Sequence, residues 1–498
     1  MTRYLPNHLV ALIAGGLLPL SFAPFHFYPL AVVSLALLFF TWTSVSAKQA
    51  AGLGFVFGLG FFGVGVSWVY VAIHDFGQAN IFIAGTLTAL FVGFLSVYLS
   101  ALGWAIKKLS PGDLTSQDYL LLLPVTWLVF EWFKGWFLTG FPWLELGIGQ
   151  LDGPLRGYTP VISALGVSLL TAISAGLLVV AIQKKVLWPV FLLLAIWLGG
   201  QTLTSQQWTQ PVDEPIKVTI IQGNVPQAIK WDRDQLFKTL ALYQARTEEN
   251  WDSDLIIWPE NAVTVFYHQA KEFFLDPLNK LATENNTEIL LGLPVLNQEL
   301  DMYYNSMMLL GSNEAFYSKR HLVPFGEYIP FEWLRGLITF FQLPMSNFSS
   351  GTGPGEIINI AGQPVGISIC YEDVFSTEIL ESLPKASLLI NASNNAWYGD
   401  SFAPPQHLQI SQNRALEMGR PILRATTNGV SALIDFKGKL VEKAPQFEEA
   451  VLTVNAQPRV GSTPYVSYGR WPLWLLSLLM MLVWAYHRRV ASMKNQAN

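Results

Sequence analysis

Residues 365–373 read Val-Gly-Ile-Ser-Ile-Cys-Tyr-Glu-Asp. The first five form a run of strand length, rich in β-branched residues. It stops at a thiol followed, one residue on, by two carboxylates. Cys370 is the only cysteine among 498 residues. An intrachain disulfide and a zinc site built on several thiolates are therefore both excluded. Similar apolar runs surround it at 217–222 (KVTIIQ), 255–258 (LIIW), 288–292 (EILLG) and 387–391 (SLLIN). Helix-like stretches fall between several of them, at 233–250, 268–284 and 405–418. Alternating strands and helices predict an α/β domain. Runs this continuously apolar predict strands covered on both faces.

In α/β folds, reactive groups sit just past the C-terminal ends of strands. Three such ends carry polar residues here. The run 255–260 (LIIWPE) ends at Glu260, 315–319 (AFYSK) at Lys319, and 365–370 at Cys370. A carboxylate, an amine and a thiol suit acyl transfer: the carboxylate takes the thiol proton, the thiolate attacks a carbonyl, and the ammonium steadies the oxyanion. Each residue alone has a plainer reading. A lone cysteine is usually a small buried hydrophobe, Glu260 could cap its strand, and a strand-end lysine is usually solvated. No GxGxxG or GxxxxGK[ST] follows a strand, so no nucleotide site is indicated. No cofactor and no metal are implied.

Outward from this domain the composition changes. The chain is 51% hydrophobic and 13% charged, against roughly 25% charged in soluble proteins. Lys plus Arg number 8 in residues 1–205, 19 in 206–470 and 3 in 471–498; Asp plus Glu number 6, 29 and 0. An acidic soluble domain, 206–470, is thus flanked by apolar segments. The net charge of −5 argues against a nucleic-acid partner. Segments near the length that crosses a bilayer lie at about 8–24, 28–44, 52–73, 80–106, 119–138, 161–183, 186–204 and 471–487. The first two are short enough for hairpin or core helices but sit in a continuous apolar context. The first lacks the cleavage site of a signal peptide. Lys48, Lys107, Lys108, Lys184, Lys185, Arg488, Arg489 and Lys494 fall on one side of this arrangement. That side is cytoplasmic by the positive-inside rule. Seven spans then place 206–470 outside, and the eighth brings the C-terminus back beside a cytoplasmic N-terminus.

Within the spans, Glu131 and Lys134 are expected to be a partly neutralised pair with Lys134 snorkelling, or else part of a lipid headgroup pocket. Trp132, Trp136 and Trp143 are expected as interfacial anchors. Gly52, Gly54, Gly58, Gly60, Gly63 and Gly65 are expected to line close helix contacts.

Taken together, 255–260, 317–328 (YSKRHLVPFGEY) and 369–373 (ICYED) resemble the Glu–Lys–Cys signatures of the carbon–nitrogen hydrolase, or nitrilase-like, superfamily. Within it they resemble the apolipoprotein N-acyltransferase family, as do 222–227 (QGNVPQ) with Lys230-Trp231, 396–400 (AWYGD) and 406–435. The resemblance covers the whole chain. It implies a helical transmembrane domain of about eight spans joined to an αββα sandwich. It makes Cys370 the nucleophile, Glu260 the base and Lys319 the oxyanion group, with Glu327, Tyr371 and Glu372 in support, Trp231 and Trp397 near the acyl and substrate path, and Asn305 positioning the site as a further substrate-binding candidate. The run 391–395 (NASNN) departs from the commoner Asn-x-Thr-Asn-Asp at Asn395, which removes a charge. The implied reaction moves an acyl chain from a membrane phospholipid, through a thioester, to the amino group of a diacylglyceryl-apolipoprotein. The enzyme would be a monomer in the bacterial inner membrane with its catalytic domain in the periplasm. Phe341, Leu343 and Met345 are candidates for an apolar lid that keeps water from the thioester. Two other classes share parts of this pattern: a membrane-tethered amidase or nitrilase using water as acceptor, and a transporter with an extracytoplasmic binding domain. The transporter would need ionisable residues along a midplane pathway, where only Glu131 and Lys134 come near.

Overall fold

The computed structural model describes residues 6–330, 347–353 and 355–497. The lid candidates Phe341, Leu343 and Met345 lie outside the described residues. The chain divides into two compact units. One is helical and comprises residues up to Tyr70, Ile81–Gln207 and Ser467 onward. The other holds Trp208–Val466 together with Val71–Asn80. The short segment 71–80 thus leaves the span proposed at 52–73 and joins the α/β unit.

The helical unit contains α1 (Asn7–Leu17), α2 (Pro29–Thr41), α3 (Ala47–Gly65), α4 (Ile81–Leu109), α5 (Leu123–Lys134), α6 (Thr159–Lys184) and α7 (Trp188–Leu203). A last helix, Trp471–Ala497, ends the chain. Among the described residues, three helical stretches are long and apolar enough to cross a membrane: Ala47–Gly65, Ile81–Leu109 and Pro154–Lys184. Asn7–Ser21, Pro29–Thr41 and Trp188–Leu203 are apolar but shorter. Helix α3 begins five residues before the expected span, because Ser46 and Gln49 form a reciprocal capping box at its N-terminus. Helix α5 is 12 residues long and continues directly from a π-helical turn at Asp118–Leu122, and the chain beyond it turns into short 3-10 segments.

Glu131 and Lys134 behave differently from expectation. Both are 1% exposed, so Lys134 does not snorkel. Its ammonium donates to the carbonyls of Phe141 at 3.1 Å and Trp143 at 2.5 Å. Glu131 accepts from Trp127 Nε1 and from the Leu146 amide, each at 2.9 Å. They fasten the chain after α5 back onto the helix. Trp143 is likewise buried, against Trp68 and Phe141, whereas Trp132 and Trp136 are exposed.

Four of the six α3 glycines sit at close approaches. A Cβ on Gly54 would lie 2.2 Å from the Leu99 carbonyl of α4, and one on Gly60 2.4 Å from the Leu12 carbonyl of α1. Gly58 meets the Ser96 backbone of α4 in the same way, Gly65 meets the Leu144 side chain, and Gly52 and Gly63 have room. Backbone at that distance cannot yield as a side chain can, so α3 packs between α1 and α4 only with hydrogen at Gly54, Gly58 and Gly60.

Among its described residues the α/β unit has two six-stranded sheets and a two-stranded ribbon. In chain order the strands are β1 (Thr209–Pro211), β2 (Ile216–Gln222), β3 (Leu255–Ile257), β4 (Glu288–Asn297), β5 (Met302–Leu310), β6 (Ala315–Ser318), β7 (Ile357–Ile360), β8 (Gln363–Ile369), β9 (Leu388–Ser393), β10 (Ile422–Thr426), β11 (Ala432–Ile434), β12 (Leu440–Lys443), β13 (Ala450–Ala456) and β14 (Arg459–Gly461). One sheet runs β13-β2-β3-β4-β5-β6 and the other β12-β11-β10-β9-β8-β7. Each has a parallel centre, β2-β3-β4 and β8-β9-β10, and antiparallel edges.

Period-two alternation sorts the side chains. Val218, Ile220, Leu255 and Ile257 meet Val365, Ile367, Ile369 and Ile390 between the sheets. Ile221, Ile256 and Trp258 turn outward to Leu240 and Tyr243 of α8 (Arg233–Glu248) and Leu278 of α9 (Asp276–Glu284). On the far side, Leu389 and Ile422 pack on Leu408, Ala415 and Met418 of α10 (Ala403–Met418). The order of layers is helix, sheet, sheet, helix, which is the expected sandwich. The continuous apolar runs follow, since both faces of each central strand are covered.

The glycine contacts carry a test. Gly54→Ala is expected to destabilise the protein by about 1–3 kcal/mol through overpacking. Gly93→Ala, with nothing within 4 Å of the new methyl, is expected to be neutral or slightly stabilising. Thermal unfolding in detergent micelles checks the pair; equal midpoints would remove the close-contact reading.

Candidate active site

Glu260, Lys319 and Cys370 each stand just past a strand, after β3, β6 and β8. All three are buried, at 4%, 1% and 8% exposure. The Lys319 ammonium lies 2.9 Å from Glu327 Oε1 and 3.6 Å from Glu260 Oε1. Asn305 of β5 joins the two carboxylates, its Nδ2 donating to Glu260 Oε1 at 2.6 Å and to Glu327 Oε1 at 3.0 Å. The remaining carboxylate oxygens are held by backbone. The Asn394 amide donates to Glu260 Oε2 at 2.7 Å, and the Val323 amide to Glu327 Oε2 at 2.8 Å. An ammonium, an amide and two carboxylates are thereby fixed from five separate segments.

Cys370 opens a 3-10 turn, Cys370–Val374, directly after β8. Its φ is +51°, the left-handed region that non-glycine residues rarely occupy and that costs on the order of 1–3 kcal/mol. Glu372 holds the turn. Its carboxylate accepts from the amides of Ile369 at 2.6 Å, Arg320 at 2.7 Å and His321 at 3.2 Å, and from the Tyr317 hydroxyl at 2.9 Å. One side chain therefore ties the cysteine turn to the end of the strand that presents Lys319. Tyr371 is buried edge-on to Phe375.

The charges set the protonation states. Burial raises the Cys370 thiol well above its ordinary range, and the Glu260 carboxylate pushes the same way against the pull of Lys319. Burial acts to lower Lys319, but Glu327, then Glu260, outweigh it and hold the ammonium well above the usual lysine range. The resting site thus pairs a neutral thiol with a charged ammonium. A proton acceptor is needed at the moment of attack, and a carboxylate of the Glu260 kind is the available type of group.

Asn305, expected to position the site, stands between the two carboxylates of the cluster. Trp397 instead packs at the rim, its ring T-shaped to Phe76 of segment 71–80 at 6.3 Å. Trp231 is half-buried beside Lys230. Sequence reasoning does not single out Lys230, Asn394 or Tyr398. Lys230 is buried and donates to the Glu260 carbonyl at 3.2 Å; burial, opposed by Glu260, pushes its pKa down to about 8. Burial pushes the Tyr398 hydroxyl well above the usual tyrosine range. All three lie inside or beside family-like runs, but nothing in a run tells which of its polar side chains turns inward.

A two-sheet sandwich with glutamate, lysine and cysteine at adjoining strand ends defines a carbon–nitrogen hydrolase, and the Carbon-nitrogen hydrolase family matches residues 217–465. A second family, the Apolipoprotein N-acyltransferase N-terminal domain, matches residues 14–177. A relative from Methylococcus capsulatus, an apolipoprotein N-acyltransferase, is 43% identical over 492 residues and covers 97% of each chain. One from Coxiella burnetii, of the same name, is 38% identical over 96% of this chain and 99% of its own. The yeast nitrilase-superfamily member Nit3, from Saccharomyces cerevisiae, is 19% identical, covering 50% of this chain and 92% of its own with a TM-score of 0.38. The chain belongs to the apolipoprotein N-acyltransferase family and is an acyltransferase of lipoprotein maturation.

The protonation states carry a test. The rate of Cys370 alkylation by a small haloacetamide is expected to climb about tenfold per pH unit between about pH 6 and 9. A plateau near neutrality would show a preformed thiolate and contradict a neutral resting thiol.

Proposed function

We propose that Cys370 carries the acyl group between two half reactions, with a membrane phospholipid as donor and the α-amine of a diacylglyceryl-apolipoprotein as acceptor. In the first, Cys370 Sγ attacks an ester carbonyl of the phospholipid. The thiol proton passes to Glu260, the C–O bond breaks, and the proton leaves on the lysophospholipid alkoxide. In the second, the acceptor nitrogen attacks the thioester carbonyl. The C–S bond breaks, and a proton from the amine returns through Glu260 to the sulfur. Lys319 faces the oxyanion in both steps, while Glu327 and Asn305 keep it charged and in place. Tyr371, Glu372, Trp231 and Trp397 support the site and its approach. The carrying observation is the buried Glu260–Lys319–Glu327 cluster whose charges act on the Cys370 thiol.

The same reading puts the chain in the bacterial inner membrane as a monomer with eight spans. Its catalytic unit is periplasmic and both termini are cytoplasmic. Two features support this topology. The short loops alternate in basic charge as the positive-inside rule requires. In addition, segment 71–80, which connects α3 to α4, clusters with the α/β unit, so loop and unit belong on one side of the bilayer.

Mass spectrometry of the purified protein incubated with phospholipid in mixed micelles is expected to show one fatty-acyl adduct on Cys370. It is expected to vanish in Cys370→Ala and to discharge onto a diacylglyceryl-cysteine peptide faster than onto water. Lys319→Ala is expected to slow adduct formation about 10²–10³-fold, the typical cost of losing an oxyanion donor. An adduct in Cys370→Ala, or near-normal thioester build-up in Lys319→Ala, would overturn the assignment. Discharge to water alone would favour the amidase class.

A further inference from the structure

Behind the Cys370 turn lies a second buried polar cluster that the acyl-transfer steps do not use. Arg424 of β10 is 1% exposed. Its Nη1 donates to Ser411 Oγ at 2.7 Å and to Asn391 Oδ1 at 2.8 Å, and lies 3.4 Å from Asp373 Oδ2. Its Nη2 donates to Asn395 Oδ1 at 3.2 Å. Asp373 also accepts from Ser411 Oγ and, at 2.7 Å, pairs with His407 Nε2. Asn395 Nδ2 contacts His407 Nδ1 at 3.1 Å.

A guanidinium this deep needs an anion, because an unpaired buried charge is far costlier than a paired one. Position 395, whose side-chain oxygen also faces this guanidinium, offers only a neutral amide. Among the described residues, the carboxylate in ion-pair range of Arg424 is Asp373. Asp373 stands three residues after Cys370, and its own carbonyl accepts from Arg414 Nε at 2.9 Å.

The cluster reaches the reacting groups from two directions. Asn391, held through its oxygen by Arg424, donates from Nδ2 to the Cys370 carbonyl at 3.3 Å. Asn395 follows directly on Asn394, whose amide holds Glu260 Oε2 at 2.7 Å. Asn395 also begins the 3-10 turn Asn395–Tyr398. One buried guanidinium thereby braces the turn that carries the nucleophile and the turn that orients the base.

We propose that Asp373 supplies the counter-charge that position 395 lacks, and that the Asp373–Arg424 pair is a positioning device registering the Cys370 turn against the Asn394–Tyr398 turn. The inference rests on the assignment of Cys370 and Glu260 above. It makes Asp373 and Arg424 positioning residues, and it makes positions 373 and 395 exchangeable as the seat of one negative charge.

The test compares Asp373→Asn, Asn395→Asp and the double swap Asp373→Asn/Asn395→Asp in the full chain in detergent micelles. Acyl-enzyme formation from phospholipid is followed with thermal unfolding. Asp373→Asn is expected to lower kcat at least about tenfold per folded molecule, with KM for the donor within about twofold, the signature of lost transition-state geometry. The double swap is expected to return kcat to within about threefold of the parent, a coupling larger than independent sites show. A merely structural role would shift the unfolding midpoint and leave kcat per folded molecule alone. Undiminished kcat in Asp373→Asn, or a double swap no better than that single variant, overturns the proposal. If Asp373→Asn is not recovered folded, the double swap decides: folded and active supports the exchange, unfolded or inactive refutes it. Cys370→Ala run alongside separates the failures, since an adduct there would sink the nucleophile assignment itself.

Discussion

The constraint on which the catalytic unit depends is one ammonium ion without water. Lys319 is sealed, and a lone buried ammonium would lose its proton. Glu327 and Glu260 prevent that, but two carboxylates around one cation leave a negative surplus. The surplus needs donors, and Asn305 and the amides of Asn394 and Val323 provide them. It also bears on the thiol, which Glu260 and Glu327 disfavour as an anion. Charge balance around Lys319 therefore sets both the geometry and the resting protonation state. A thiol that stays neutral until a carbonyl arrives suits an enzyme whose thioester must be opened by an amine rather than lost to water.

The sandwich makes such a cluster possible. Inter-sheet packing closes one side of the site with apolar side chains, and the ends of β3, β6 and β8 deliver three groups to one place. The cysteine is held at positive φ by what surrounds it: the four donors on Glu372 at the front and the Arg424 cluster behind. Strain of this kind persists only where neighbouring structure over-determines it. Here the restraints come from residues close after Cys370, Glu372 and Asp373, so the turn carries its own clamps.

Much of this is legible in the chain. The strand runs around 217–222, 255–258 and 365–369 become β2, β3 and β8 because an apolar stretch of that length, bounded by polar residues, has few other uses. Glu260, Lys319 and Cys370 are legible because each interrupts the apolar pattern at a strand end. Other features are not. Helices α3 and α5 end before the apolar segments expected there do, since hydropathy does not register where hydrogen bonding turns. Lys134 has the sequence setting of a snorkelling residue, but two carbonyls of the chain beyond α5 draw it inward. Trp143 has the setting of an interfacial anchor and is nonetheless covered by Trp68 and Phe141.

By itself, the order of residues determined the two-part organisation, the α/β character of the middle region and the standing of Glu260, Lys319 and Cys370 just past strand ends. These depend on local composition and on periodicities of two and of about three and a half. What tertiary structure alone decided is which polar groups share a charge. Asn305 becomes the link between two carboxylates, and Asp373 meets Arg424 across 51 positions. Segment 71–80 joins the catalytic unit rather than its neighbours in the chain. Such pairings come from strand register and layer packing, which bring together residues far apart in sequence, and no local pattern encodes them.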